Sequence, residues 1–173
     1  MTPVRIRAAS DADIRTIRSI ALAAWPAAYR EILSEAQLAY MLETRYSEEV
    51  LLARMERGEL FLLAHAGEQA VGFAGFELDL GQRRITRLHR LYLHPGQMGT
   101  GMGRMLLHAV FKAARKAGDV AVNLNVNKYN PSLGFYLHLG FQCIGEEVLD
   151  IGQGYVMDDF ILERPVSTWP GLE

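Results

Sequence analysis

Hydrophobic and polar residues change their period several times along this chain. Val4, Ile6 and Ala8 alternate with Arg5 and Arg7, the period-two pattern of a short strand. From Ser10 onwards the apolar positions fall three and four apart (Ile14, Ile17, Ala21, Leu22), which predicts a helix. Ser10 is a good N-cap, and Asp13 suits the positive end of the helix dipole. Pro26 is expected to end or kink this helix. Ser34 and Gln37 form a capping-box pair ahead of Leu38, Met41 and Leu42. Ser47 opens a third helix with Val50, Leu51 and Met55 inside and Gly58 as its stop.

Beyond residue 58 the texture is that of strands. Residues 60–66 and 70–78, joined at Gly67-Glu68, read as a hairpin, and 84–93 as a third strand after a turn at Gly81-Gln82. A glycine-rich stretch follows, then a helix over about 101–117 closed by Gly118. A strand at 120–126, a short helix at 131–139 and two strands near 141–149 and 155–163 complete the pattern. The order β-α-α-α-β-β-β-α-β-α-β-β predicts an α/β (α+β) fold. Its sheet is mixed and mostly antiparallel, with six or seven strands and one parallel pair made by a strand–helix–strand crossover. Residues 1–164 read as a single domain and 165–173 as a C-terminal tail, loose except where Trp169 docks it.

Composition narrows the class without naming a chemistry. The 173 residues are long enough to bury about 70% of the surface of the unfolded chain. Eighteen basic against 20 acidic residues give a net charge of −2, which offers no electrostatic case for a nucleic-acid or membrane partner. Cys143 is the single cysteine, so neither an internal disulfide nor a multi-cysteine zinc site is available, and no metal is expected. The start, MTPVRIRAAS, has no apolar run before Asp11 and Asp13, so no secretory signal is read there, and a soluble cytoplasmic protein is the expectation.

The chemistry is in the glycine stretch. Gly96, Gly99, Gly101 and Gly103 lie between a predicted strand and a predicted helix. Glycines let a backbone approach a ligand closely, and the free amides of a helix start attract phosphate. A Walker A loop would need Lys-Ser/Thr after its last glycine, but Arg104-Met105 follow Gly103. The dinucleotide fingerprint would need glycine at position 104. What remains, H-P-x-x-x-G-x-G-x-G before an amphipathic helix with Leu106, Leu107, Val110 and Ala114, resembles the acyl-CoA loop of the GNAT superfamily of N-acyltransferases. Gly101 and Gly103 match the two required glycines. Met98 stands where the family has Gln or Arg, and Gln97 lies one place early. Residues 123–141, NLNVNKYNPSLGFYLHLGF, resemble the second GNAT signature through Asn130, Phe135-Tyr136 and Gly140-Phe141. Asn130 also suits the N-cap of a helix beginning near Pro131, and Gly140-Phe141 a C-cap followed by a strand.

The resemblance implies an acetyl-CoA-dependent N-acetyltransferase with a splayed strand pair. The cofactor's diphosphate would lie on the amides of Met98, Gly99, Thr100, Gly101, Met102, Gly103 and Arg104. Its pantetheine arm would run along Leu91, Tyr92 and Leu93 as an added strand, with Asn130 and Tyr136 as further contacts. An amine must be neutral to attack the thioester. Deprotonating one with a pKa near 10.4 at pH 7 costs about 4.6 kcal/mol. The base is His89, which matches a catalytic histidine of one family member, or Glu77 at the end of the preceding strand, or neither. The Leu91 N–H matches the family's oxyanion donor, and Tyr136 the acid that protonates the leaving thiolate. Strict alternation puts His89, Leu91 and Leu93 on one strand face and Arg90 and Tyr92 on the other.

By the same resemblance the acceptor pocket would draw on Trp25, Tyr29, Tyr40 and Tyr46 and on Glu146, Glu147, Asp150, Asp158 and Asp159. Aromatic rings and acids suit an amine cation, so a small polyamine-like substrate is expected, with a protein N-terminus or lysine as the alternative. Arg83, Arg84, Arg87 and Arg90 form a basic run that either meets the cofactor's 3′-phosphate or is simply a solvated face. Asn123, Asn125 and Asn127 fit exposed edges. A non-catalytic acyl-CoA sensor and a nucleotide-binding module remain rival readings, and family members commonly form homodimers.

Overall fold

In the computed structural model, which describes residues 2–172, one seven-stranded sheet has the order β1-β2-β3-β4-β5-β7-β6. The strands are β1 (Val4–Ala8), β2 (Leu60–Ala66), β3 (Gln69–Glu77), β4 (Ile85–Leu93), β5 (Ala121–Asn127), β6 (Gln142–Gly152) and β7 (Tyr155–Pro165). The helices are α1 (Ile14–Tyr29), α2 (Glu35–Tyr46), α3 (Glu48–Glu56), α4 (Met102–Ala117) and α5 (Ser132–His138). β1–β2, β2–β3, β5–β7 and β6–β7 pair antiparallel. β4–β5 is parallel, as the α4 crossover requires. The mixed sheet and the element order agree with expectation. No described helix is long and apolar enough to cross a membrane.

The chain divides into two compact units, residues 1–77 with 89–110 and residues 78–88 with 111–173. The first unit is built on α1–α3. Ser34 Oγ accepts from Gln37 N (3.1 Å) and Ser47 Oγ from Val50 N (3.2 Å), so both predicted caps form. Pro26 neither ends nor breaks α1, which runs on to Tyr29 with Arg30 N bonded to Pro26 O. A proline in the last turn forfeits one hydrogen bond. The gain on the other side is the burial of Trp25 and Tyr29, whose rings join Tyr46, Phe73 and Tyr92 in one aromatic cluster.

A buried ion cluster sits beside these rings. The Glu59 carboxylate is fully enclosed and accepts from Arg90 Nε (2.7 Å) and Arg54 Nε (2.9 Å). The Arg90 guanidinium also lies 4.9 Å from the centre of the Tyr46 ring and donates to Arg45 O (2.8 Å). Removing one partner of such a pair leaves an uncompensated buried charge. Glu59→Ala is therefore expected to cost about 3–5 kcal/mol of stability, measured as a fall in the urea midpoint.

In the second unit α4 ends as predicted at Gly118 (φ 83°). Gly118 N bonds to Arg115 O, and Asp119 N to Ala114 O, the paired bonds of a Schellman turn. Strands β6 and β7 are each 11 residues, longer than the sequence pattern suggested. The C-terminal segment is docked, not loose. Trp169 is buried and stacks on Phe111 at 4.2 Å.

Candidate active site

The glycine loop takes the form its sequence predicts. A single helical turn at Pro95–Gln97 is held by His94, whose Nδ1 accepts from Gly96 N (3.3 Å). Thr100 Oγ1 closes the loop by donating to Gln97 O (2.6 Å). Gly99 (φ 77°) and Gly101 (φ 86°) adopt backbone conformations that L side chains rarely take, and a Cβ on either would meet nothing within 4 Å. The loop thus presents bare backbone to open space at the N-terminus of a 16-residue helix. Met105 N makes an early helical bond, to Gly101 O (3.1 Å). Met102 and Gly103 are buried, Arg104 is exposed, and the Met98 side chain projects outward at 64% exposure. Such a cradle of amides and positive dipole fits a diphosphate.

Strand β4 leads into this loop, and Leu91, Tyr92 and Leu93 are half-buried along it. The Tyr92 hydroxyl lies 3.0 Å from that of Tyr29. Strict alternation holds through this stretch. Arg90 and Tyr92 both pack against the Tyr46 ring, and the Arg90 side chain lies 3.2 Å from where a Gly75 Cβ would stand. His89, between buried Leu88 and buried Arg90, takes the other face, with its Nε2 2.7 Å from Glu77 Oε2 at the end of β3.

The structure thereby joins His89 and Glu77, which the sequence offered as competing bases, into one hydrogen-bonded pair. A carboxylate only accepts, so Nε2 carries the hydrogen of this bond and Nδ1 keeps a lone pair. Burial pushes the His89 imidazole below the usual histidine value, against the opposing pull of the Glu77 bond. The ring is therefore neutral at pH 7, as a proton acceptor must be. The His89 side chain is only 22% exposed although the residue as a whole is exposed, so it is the main chain of β4 that is open here. The β4–β5 register runs from Ile85 opposite Ala121 to Leu88 opposite Leu124, and β4 itself continues to Leu93.

In the second unit Tyr136 is buried on α5. The turn after it is another Schellman motif. Phe141 N bonds to Tyr136 O (3.1 Å), Gly140 N bonds to Leu137 O (3.0 Å), and Gly140 has φ 86°. The hydrophobic contact that accompanies such a motif is the Tyr136–Phe141 ring pair at 5.6 Å. Asn130 is buried and stands one place before the N-cap, which is Pro131, yet its Oδ1 accepts from Ser132 N (2.8 Å), the first amide of α5.

Other expected site residues have different roles. Trp25, Tyr29 and Tyr46 are packed core rather than the lining of an open pocket, and Tyr40 is half-buried. The acids of the last hairpin are engaged within the fold. Glu146 and Asp158 hold Lys128 (3.2 and 3.0 Å), Glu147 accepts from Asn125 (2.8 Å), Asp150 accepts from Gly152 N (2.9 Å), and Asp159 is buried. The arginine run is dispersed. Arg84 donates to Gly118 O at the end of α4, Arg87 to Asn123 and Asn125, and Arg90 to Glu59. Asn127 is buried and accepts from Tyr129 N (2.9 Å), so these asparagines are not free edge groups.

Comparison with known proteins places this arrangement. A family model described as an acetyltransferase (GNAT) domain matches residues 29–156. A spermidine N(1)-acetyltransferase of Thermoplasma acidophilum is 30% identical over 145 residues, covering 80% of this chain and 88% of the relative. An uncharacterized N-acetyltransferase of Mycobacterium bovis is 30% identical over 148 residues, 85% and 90% of the two chains. Among solved structures, the PaiA N-acetyltransferase of Thermoplasma acidophilum in complex with coenzyme A superposes with a TM-score of 0.81 at 29% identity, over 94% of this chain and 99% of that one. The chain belongs to the GNAT N-acetyltransferases, enzymes that use acetyl-CoA as their acyl donor.

Proposed function

We propose that this enzyme acetylates a primary amine of a small, polyamine-like molecule. The observation that carries this choice of acceptor is the 30% identity, across most of both chains, to a spermidine N(1)-acetyltransferase. Bound acetyl-CoA supplies a thioester carbonyl that an amine attacks directly. The amides of residues 99–104 hold its diphosphate, since the Met98 N–H expected there is already bonded to Pro95 O (3.3 Å), and the open main chain of β4 at Leu91, Tyr92 and Leu93 pairs with its pantetheine arm. Asn130 is a further contact.

His89 Nδ1 takes the proton of the incoming amine, while Glu77 fixes the tautomer and the ring orientation. The Leu91 N–H stabilises the charge that develops on the carbonyl oxygen. Tyr136 gives its phenolic proton to the departing sulfur. The depressed basicity of the His89 ring supports this assignment, because burial favours the unprotonated form that a base needs.

His89→Gln is expected to lower kcat/KM by about 10²-fold and to flatten the acid limb of its pH profile. An unchanged limb would remove His89 as the base. The acceptor is tested by thiol release from acetyl-CoA with spermidine, spermine, simple monoamines, lysine peptides and free peptide N-termini. The polyamines should give the highest kcat/KM. Fastest turnover with a peptide would reassign the acceptor, and the absence of thiol release with every amine would point to a non-catalytic acyl-CoA sensor.

A further inference from the structure

We infer that the C-terminal segment after β7 is a positioning device for Tyr136, acting through Arg164 and Trp169. The inference rests on the role proposed for Tyr136 above, and it begins from the exposed end of a short helix. The last carbonyls of a helix lack partners and carry the negative end of its dipole. At the end of α5 the Leu139 carbonyl accepts from Arg164 Nη1. A guanidinium is the best-suited side chain for that place, being charged at every relevant pH and carrying five donors in a fixed fork.

The same Arg164 is tied to the segment behind it. Its Nε donates to Thr168 Oγ1 (3.1 Å), its Nη2 donates to Thr168 O, and its Cζ lies 4.9 Å from the Trp169 ring centre. Gly140 makes the approach possible. A Cβ there would stand 3.0 Å from Arg164 Nη1 and 3.2 Å from Cζ, tighter than ordinary contact. So the one residue that gives the helix its left-handed stop also leaves room for the cation that caps it.

A second line of contact runs through rings. Trp169 stacks on Phe111 (4.2 Å, 12° between planes), Phe111 meets Phe141 edge-on (5.9 Å), and Phe141 meets Tyr136 edge-on (5.6 Å). Phe141 is also the residue whose N–H bonds to Tyr136 O. Two independent routes, one polar and one aromatic, thus lead from Trp169 to the turn that holds Tyr136. Contacts of this kind fix a catalytic group to fractions of an ångström, and errors of about 1 Å cost up to about 10²-fold in rate.

The test is a double-mutant cycle in the full chain, read as kcat and as KM for acetyl-CoA. Trp169→Ala is expected to lower kcat on the order of tenfold, with the acetyl-CoA KM within about twofold. Trp169→Phe, which keeps a ring on Phe111, should recover most of the loss. Combined with Tyr136→Phe, Trp169→Ala should cost nothing further, because its effect runs through the missing hydroxyl. An equal loss in both backgrounds overturns the positioning inference and leaves the role of Tyr136 intact. Wild-type turnover in Tyr136→Phe alone overturns the acid reading, and the inference with it. If Trp169→Ala does not fold, Arg164→Gln carries the same cycle, because it removes the cap and keeps every ring.

Discussion

Gly101→Val is expected to weaken coenzyme A binding by at least about a hundredfold, some 2.7 kcal/mol, while the protein stays folded. The loop residue has φ 86°, where a β-branched side chain is strained by about 1–3 kcal/mol. The new side chain meets no protein atom within 4 Å of its Cβ, so the loss is not one of packing. It enters the open space over the amides at the start of α4, which the cradle needs free for a diphosphate. Gly118 provides a matched control at the other end of the same helix. It has φ 83° and the same empty surroundings. Gly118→Val should lower the melting temperature by a similar amount and leave coenzyme A affinity unchanged. Calorimetric titration of both variants separates ligand exclusion from backbone strain, and equal affinity losses would sink the cradle.

Tyr136→Phe should lower kcat by about 10²-fold or more, with coenzyme A affinity nearly intact, the pattern expected when a group acts only in the transition state. The ring, its contacts with Phe135 and Phe141 and the Schellman bonds do not involve the hydroxyl. Removing the hydroxyl alone therefore leaves α5 in place. The variant should also respond to the leaving group. An acetyl thioester of a more acidic thiol needs less proton donation as it departs, so the penalty should shrink with such a donor. A constant penalty across donors would remove Tyr136 as the acid.

Much of this was readable from residue order because local rules decided it. Ser34, Ser47, Gly118 and Gly140 act through their own neighbours, and each cap and stop lies where its chemistry put it. The glycine loop was legible for the same reason. What pattern could not supply was long-range pairing. Nothing near Pro26 signals that Trp25 and Tyr29 will be drawn into rings from α2, β3 and β4, and that burial is what carries α1 past the proline. The alternation of β4 holds, but it gives no hint that His89 and Arg90 will find Glu77 and Glu59, 12 and 31 residues away, as partners. The hairpin acids looked like a lure for cations because charge is visible in sequence. The pairing of Glu146 and Asp158 with Lys128, and the hydrogen bond from Asn125 to Glu147, are not. The docked tail was half legible. Trp169 is conspicuous, but its stacking on Phe111, 58 positions earlier, depends on the whole second unit being built.

The path of the chain through its two compact units has a practical corollary. The polypeptide leaves the first at Glu77, returns at His89 and departs again after Val110, so β4 and α4 each contribute to both. No single scission yields two self-sufficient halves. A piece ending at Val110 would keep the glycine loop but lose the last seven residues of α4, and would strand Ile85–Leu88 without the β5 segment they bond to. Expression of either half alone should give an insoluble or unfolded product.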